Sequence, residues 1–252
     1  MAISAHDLVI GYQSPLREPL SLRVEAGHTL AVIGPNGSGK TTLFHTLLGI
    51  IPALGGSFEM QDPLGALFQD RALPLNIPVH RWISHIAQLW QVPVNHSLLE
   101  QLGIEHSTSP IRRLSGGQAQ KLAIYSAMAH EPKTLILDEP TNNLDAQSRT
   151  AVYAAITSLR NSGSSILLSS HQAQDVAALD STILNFNLSH SEGPSALVTF
   201  SGALAVIPQE LTVQETATGF IVSTMHHNEL LAQATLLANV NNVSILSFQV
   251  IS

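Results

Sequence analysis

The run Gly34-Pro35-Asn36-Gly37-Ser38-Gly39-Lys40-Thr41 constrains this chain more than any other stretch. It follows an apolar, β-branched segment, His28 to Ile33, and precedes Leu43, Leu47 and Leu48, which are spaced as on one face of a helix. Strand, glycine-rich turn and helix in that order is the setting in which this pattern forms a phosphate-binding loop. The glycines let the backbone curl until successive N–H groups face one anion, and the helix start adds about half a positive charge. Lys40 is placed to reach the β- and γ-phosphates of a nucleotide, the Thr41 hydroxyl to ligate Mg²⁺, and Thr42 to complete the contacts.

Leu135-Ile136-Leu137-Asp138-Glu139 is an apolar run that ends in two carboxylates. A buried strand would carry both to the carboxyl edge of the sheet, where a phosphate loop also sits. Alone, such a pair is usually the start of a solvated loop. Beside the phosphate loop, Asp138 is suited to hold Mg²⁺ directly or through water, and Glu139 to polarise the attacking water as general base.

With Thr134 to Leu137 and Ser165 to Ser169 as further strands, the fold expected is α/β: a largely parallel, buried sheet flanked by helices. Ala151, Val152, Ala155, Ile156 and Leu159 mark a helix that stops before Gly163. Between Gln69 and Ser115 strand signals vanish. Val79, Trp82, Ile83, Ile86, Leu89 and Trp90 form an apolar stripe of helical spacing, which predicts a helical insertion. Its two Trp residues fit a core, the preferred reading, or a partner-facing surface. Beyond about Ser189 the chain turns Ser-, Thr- and Gly-rich. It then offers a strand at Phe220 to Ser223, a helix at Asn228 to Val240 and a strand at Ser244 to Ile251, so a small C-terminal β-α-β appendage is expected. The boundaries are a main domain over 1–190, with its helical part at about 70–130, and an appendage over 191–252.

Leu114-Ser115-Gly116-Gly117-Gln118 lies upstream of the acidic pair and resembles the signature motif of ABC (ATP-binding cassette) ATPases. From about Leu8 to Phe186 the order and spacing of motifs are similar to that family's nucleotide-binding domain. The resemblance implies ATP and Mg²⁺ as ligands. It also implies that Tyr12 stacks on adenine, that Gln69 contacts Mg²⁺ and water, that Asp145 is the acidic member of the D-loop Asn142-Asn143-Leu144-Asp145, and that His171 touches the γ-phosphate. Ser115 can cap the helix beginning near Gly116, which makes a second anion-binding helix start. In the family the two starts face each other across a dimer, so a second ATPase subunit and a transmembrane permease are the implied partners. Two departures stand out: Asn-Asn opens the D-loop, and the short interval from Gly56 to Gln69 suggests a trimmed antiparallel sheet near the adenine.

Phrases such as Leu102-Gly103-Ile104-Glu105 and Arg112-Arg113-Leu114 look like the exporter branch with separately encoded permeases; the alternative is an importer ATPase for a nutrient or metal. A soluble cassette acting on ribosomes or DNA fits less well. Net charge is −7 and no Lys or Arg follows Arg160, so the second part of the chain offers no footprint for nucleic acid or anionic lipid. No apolar run approaches the ~18 residues of a membrane span, and no signal peptide is apparent. A cytoplasmic protein, held at the inner face of the membrane by its permease, is the expected location. Adjacent His226 and His227 would point apart and make poor ligands for one ion.

Overall fold

The three apolar runs expected as buried strands form strands at Thr29–Ile33, Thr134–Asp138 and Ser165–Ser170, side by side at the middle of one parallel sheet in the computed structural model. The structure describes residues 3–69, 73–170, 172–186, 195–201, 212–216, 219–223, 230–241 and 243–250. The chain divides into two compact units, Met1–Asn187 and Leu188–Ser252, three residues before the boundary expected from composition.

In the first unit the elements run β1 (Ile3–Val9), β2 (Leu20–Val24), β3 (Thr29–Ile33), α1 (Lys40–Leu47), β4 (Gly55–Met60), β5 (Leu64–Leu67), α2 (Val79–Trp90), α3 (His96–Leu102), a 3₁₀ turn (Ile111–Arg113), α4 (Gly116–Met128), β6 (Thr134–Asp138), α5 (Ala146–Asn161), β7 (Ser165–Ser170), α6 (Ala173–Ala178) and β8 (Thr182–Asn185). The parallel sheet has the order β5-β6-β7-β3-β8. Its three central strands are buried along nearly their whole length, as a sheet covered on both faces requires.

Alternation along these strands divides the core in two. Leu30, Val32, Ile136 and Leu167 face α1, through Leu43, Phe44 and Leu47, and the antiparallel sheet β2-β1-β4. Ala31, Leu135, Leu137, Ile166 and Leu168 face the other way, onto α4, α5 and the insertion helices α2 and α3. The antiparallel sheet has three strands. Helix α2 buries Val79, Ile83 and Ile86 of the predicted stripe, and Ala87 beside them, while Leu89 of the stripe is exposed. Trp82 packs at the edge of that core with its indole N–H donating to Ser126 Oγ, 2.9 Å. Trp90 stays 38% exposed and stacks flat on His130, ring centroids 3.7 Å apart.

The second unit departs from the expected β-α-β. It contains β9 (Ser195–Phe200), β10 (Thr212–Thr216), β11 (Gly219–Ser223), α7 (Leu230–Val240) and β12 (Ile245–Val250), and its antiparallel pairs give the order β10-β11-β9-β12. The β11-α7-β12 unit is there, split by β9 between its strands. β10 escapes a hydrophobicity reading because Val213 is its single apolar residue, although β-branched Thr and Val favour strands; β9, with Ala196, Leu197, Val198 and Phe200, carries an apolar run that the sequence reading passes over. His226 and His227 lie outside the described residues.

Candidate functional site

Parallel register brings the ends of four strands together. Leu67 pairs with Leu137, Asp138 with Ser169, and Ser170 with Ile33, so whatever follows β5, β6, β7 and β3 emerges at one edge. Gly34 to Gly39 follow β3, the Asp138-Glu139 pair ends β6, and Gln69 stands two residues beyond β5, exposed. His171 comes next after β7 in the chain but lies outside the described residues.

The loop before α1 has the geometry its glycines allow. Gly37 and Gly39 take φ of 82° and 97°, and a Cβ on Gly39 would stand 2.7 Å from Leu16 Cδ2. Pro35, Asn36 and Gly37 are exposed, while Lys40 and Thr42 are buried. The Lys40 ammonium crosses the loop and donates to the carbonyls of Gly34 (2.8 Å) and Pro35 (2.9 Å). No side chain caps α1. Ser38 Oγ is buried without a hydrogen-bond partner, an arrangement that costs about 1–3 kcal/mol unless an incoming oxygen meets it. An uncapped helix start with an orphaned hydroxyl and a cation folded into its loop fits a phosphate.

Thr41 Oγ1 donates to Asp138 Oδ2 at 2.6 Å, joining residues 97 apart in the chain. A hydroxyl and a carboxylate converging at this distance are the hard oxygen donors that suit Mg²⁺. Asp138 is 2% exposed, and its other oxygen accepts Ser169 Oγ–H at 2.5 Å; Ser169 Oγ in turn accepts the Glu139 N–H at 2.9 Å. Ser169 thus holds both members of the acidic pair. Glu139 takes φ of 52°, a left-handed value that costs a non-glycine residue about 1–3 kcal/mol and recurs at functional sites. Its Oε2 accepts from Asn142 Nδ2 at 2.5 Å, and Asn143 also takes a left-handed φ of 62°. The Asn-Asn departure in the D-loop therefore supplies both a donor to Glu139 and a residue that tolerates the turn.

Ser115 caps α4. Its Oγ accepts the Gln118 N–H at 3.2 Å, and the Gln118 side chain accepts the Ser115 N–H at 2.9 Å, a complete capping box. A Cβ on Gly116 would meet nothing within 4 Å, while one on Gly117 would lie 3.6 Å from Asn143 O. Gln120 Nε2 donates to Pro140 O at 2.9 Å and ties α4 to the segment after Glu139. Asp145 caps α5 by accepting the Ser148 N–H at 2.7 Å, which holds its carboxyl below the usual carboxylate range. Tyr12 is 67% exposed, just past a bridge between Gly11 and Pro15.

Ser169 was not among the residues singled out in the sequence. The signal for it lay in the two parallel runs Thr134 to Leu137 and Ser165 to Ser169, whose in-register pairing sets Ser169 opposite Asp138. Among the described residues no group of three or more His, Asp or Glu is placed to hold a metal ion by itself.

A family model described as ABC transporter matches residues 17–142, half of the chain. The chain is 36% identical over 170 residues to an uncharacterised ABC transporter ATP-binding protein, YfmM, of Bacillus subtilis, across 66% of this chain and 32% of that one, so it spans about a third of that relative's length. It is 32% identical over 200 residues to the zinc import ATP-binding protein ZnuC of Cereibacter sphaeroides (73% of this chain, 79% of that one). With the taurine import ATP-binding protein TauB of Escherichia coli K12 it shares 30% identity over 177 residues (64% and 69%). Among solved structures, an ATP-binding subunit of an ABC transporter matches with a TM-score of 0.65 at 22% identity, covering 70% of this chain and 82% of that one. The ATP-binding cassette MJ0796, dimeric and bound to ADP and Pi, matches at 0.64 and 17% identity, covering 73% and 93%. Likenesses at this identity show the fold. The family match and the relatives above 30% identity show more: the chain belongs to the ABC transporter family, as one of its ATP-binding, ATP-hydrolysing cassettes.

Proposed function

We propose that this chain is the ATPase subunit of a membrane transporter, binding Mg-ATP on the loop before α1 and driving a separate permease. The observation that carries this reading is the convergence of Lys40, Thr41, Asp138 and Glu139 at one sheet edge, anchored by the 2.6 Å bond between Thr41 and Asp138. No helix among the described residues is long and apolar enough to cross a membrane; in this reading the path for cargo lies in the permease.

In this scheme the loop backbone and Lys40 bind the β- and γ-phosphates. Thr41 and Asp138 would hold Mg²⁺, which would offset phosphate charge. Glu139 takes a proton from the attacking water as that water's oxygen bonds to the γ-phosphorus and the bond to the β–γ bridging oxygen breaks, its electron pair leaving with ADP. Gln69 and His171 are assigned to the water and the γ-phosphate, and Tyr12 to the adenine. The start of α4, with Ser115, Gly116, Gly117 and Gln118, is assigned to the nucleotide of a second copy in an ATP-bound dimer, with Asp145 beside it.

Export is the first reading of the sequence phrases and import its alternative. The relatives favour the alternative, since ZnuC and TauB are named as import ATPases for zinc and taurine. Import of a small nutrient or a metal is therefore the direction proposed. The test is affinity purification of the Glu139→Gln variant from native membranes in ATP. A polytopic membrane protein in the eluate supports the transporter, and its reconstitution in vesicles then gives the direction; ribosomes or DNA-bound proteins in its place would move the assignment to a soluble cassette.

A further inference from the structure

Asp175 stands in the first turn of α6, only 2% exposed, and neither the phosphate contacts nor the acidic pair accounts for it. Its Oδ2 accepts hydroxyl protons from Thr141 at 2.9 Å and Ser170 at 2.5 Å, and its Oδ1 accepts that of Tyr153 at 2.5 Å. Three O–H donors replace the water that a buried carboxylate gives up. Burial, then the hydrogen bond to Asp175 and its charge, push the Tyr153 hydroxyl well above the usual tyrosine range, so it stays a donor across the working pH.

The donors belong to different segments, and two of them adjoin the acidic pair. Thr141 lies between Pro140 and Asn142, and Asn142 Nδ2 donates to Glu139. Ser170 follows Ser169, whose hydroxyl holds Asp138 and the Glu139 N–H. Tyr153 comes from α5 and joins neither strand end. One carboxylate thus grips the turn that follows β6 and the last residue of β7, the two segments that fix Asp138 and Glu139.

We propose that Asp175 is a positioning residue for ATP hydrolysis, holding the Glu139 turn against the end of β7 through Thr141 and Ser170. This rests on the ATPase assignment above. Among the described residues the side-chain partners of Asp175 are Thr141, Ser170 and Tyr153, none of them assigned to the nucleotide, so its loss should leave ATP binding alone and disturb the geometry of the water-activating carboxylate. A misplacement of about 1 Å in such a group costs on the order of a hundredfold in rate.

The experiment is steady-state phosphate release and ATP titration on the full chain, comparing wild type with Asp175→Asn, Thr141→Val and Tyr153→Phe. Asp175→Asn should lower kcat by about ten- to a hundredfold with KM for ATP within about twofold. Thr141→Val should follow in the same direction, and Tyr153→Phe, whose bond comes from α5, should cost least. If Asp175→Asn does not fold, the order of the other two decides the matter. A single-turnover cycle adds the specific readout: in a Glu139→Gln background, Asp175→Asn should slow the reaction little further, because it acts through Glu139. A variant that loses only thermal stability, or whose effect multiplies with that of Glu139→Gln, overturns the proposal. A wild-type chain that turns over no ATP overturns the ATPase assignment and this proposal together, whereas normal wild-type turnover with an unaffected Asp175→Asn overturns this proposal alone.

Discussion

Helix α1 begins after Gly39 with no side-chain cap, whereas α4 begins after Ser115 with both halves of a capping box closed. Both starts are glycine-rich and both can face an anion, yet they are finished in opposite ways. The α1 start leaves Ser38 Oγ buried and unmet and turns Lys40 onto its own carbonyls, so it is completed only by a ligand. The α4 start satisfies the Ser115 and Gln118 N–H groups from within and presents an open surface at Gly116. In the function proposed above, the first start binds its nucleotide within a single chain, and the second contributes a fixed surface to the nucleotide of another copy.

The largest effect is expected at Glu139, just past the end of β6. Glu139→Gln should slow hydrolysis by about 10²- to 10⁴-fold, the usual contribution of a positioned base, with ATP binding retained. Phosphate release and nucleotide titration check the two halves of that statement, and a normal rate would remove Glu139 from the chemistry. Next comes Lys40→Ala, which strikes the open start. Hydrogen bonds to a charged group contribute about 1.5–3 kcal/mol, so ATP affinity in the isolated chain should fall by roughly ten- to a hundredfold. Ser115→Ala strikes the closed start, where losing an N-cap costs about 1 kcal/mol of stability. It should lower turnover without weakening ATP binding to the isolated chain. Equal loss of affinity in the Lys40 and Ser115 variants would erase the distinction between the two starts.

Both starts were legible in the sequence because each is a contiguous phrase whose meaning depends on its immediate neighbours. Gly34 to Thr41 needs only a strand before it and a helix after it. Ser115-x-x-Gln118 is the spacing of a capping box, although Ser115 alone was anticipated. What the sequence did not yield depends on pairing across distance. Ser169 matters because β6 and β7 are in register, which no local pattern fixes. The β-α-β expectation for the second unit omits β9, which is apolar in itself but takes its place between β11 and β12 from antiparallel partners on either side. Trp90 shows the same limit. Helical spacing put it on the apolar stripe, but what covers it is His130, forty residues on, and that contact was visible only in three dimensions.

The smallest expected effect lies at the far end of α4, where His130 follows the helix. Its Nε2 is 3.0 Å from Leu64 O, so that nitrogen carries the proton and Nδ1 is left bare, buried and without a partner. Burial lowers the His130 pKa, outweighing the bond to Leu64, which raises it. The sign follows from the depressed value: the unfolded chain takes up a proton near pH 6.5 while the folded chain resists. The neutral ring's contribution is therefore fully present above about pH 6.5 and is lost as pH falls through the folded value. Melting temperatures from pH 7.5 down to 5 should decline below about 6.5 in the wild type. His130→Phe keeps a flat ring against Trp90, loses the bond to Leu64 and removes the titrating group, so it should melt lower at pH 7.5 yet decline less on acidification. Parallel curves would mean that the acid sensitivity comes from another histidine. A flattened curve would mean that α4 is secured at both ends by side chains, the capping box at its start and the neutral imidazole of His130 just past its end, whereas α1 has no side-chain cap at its start.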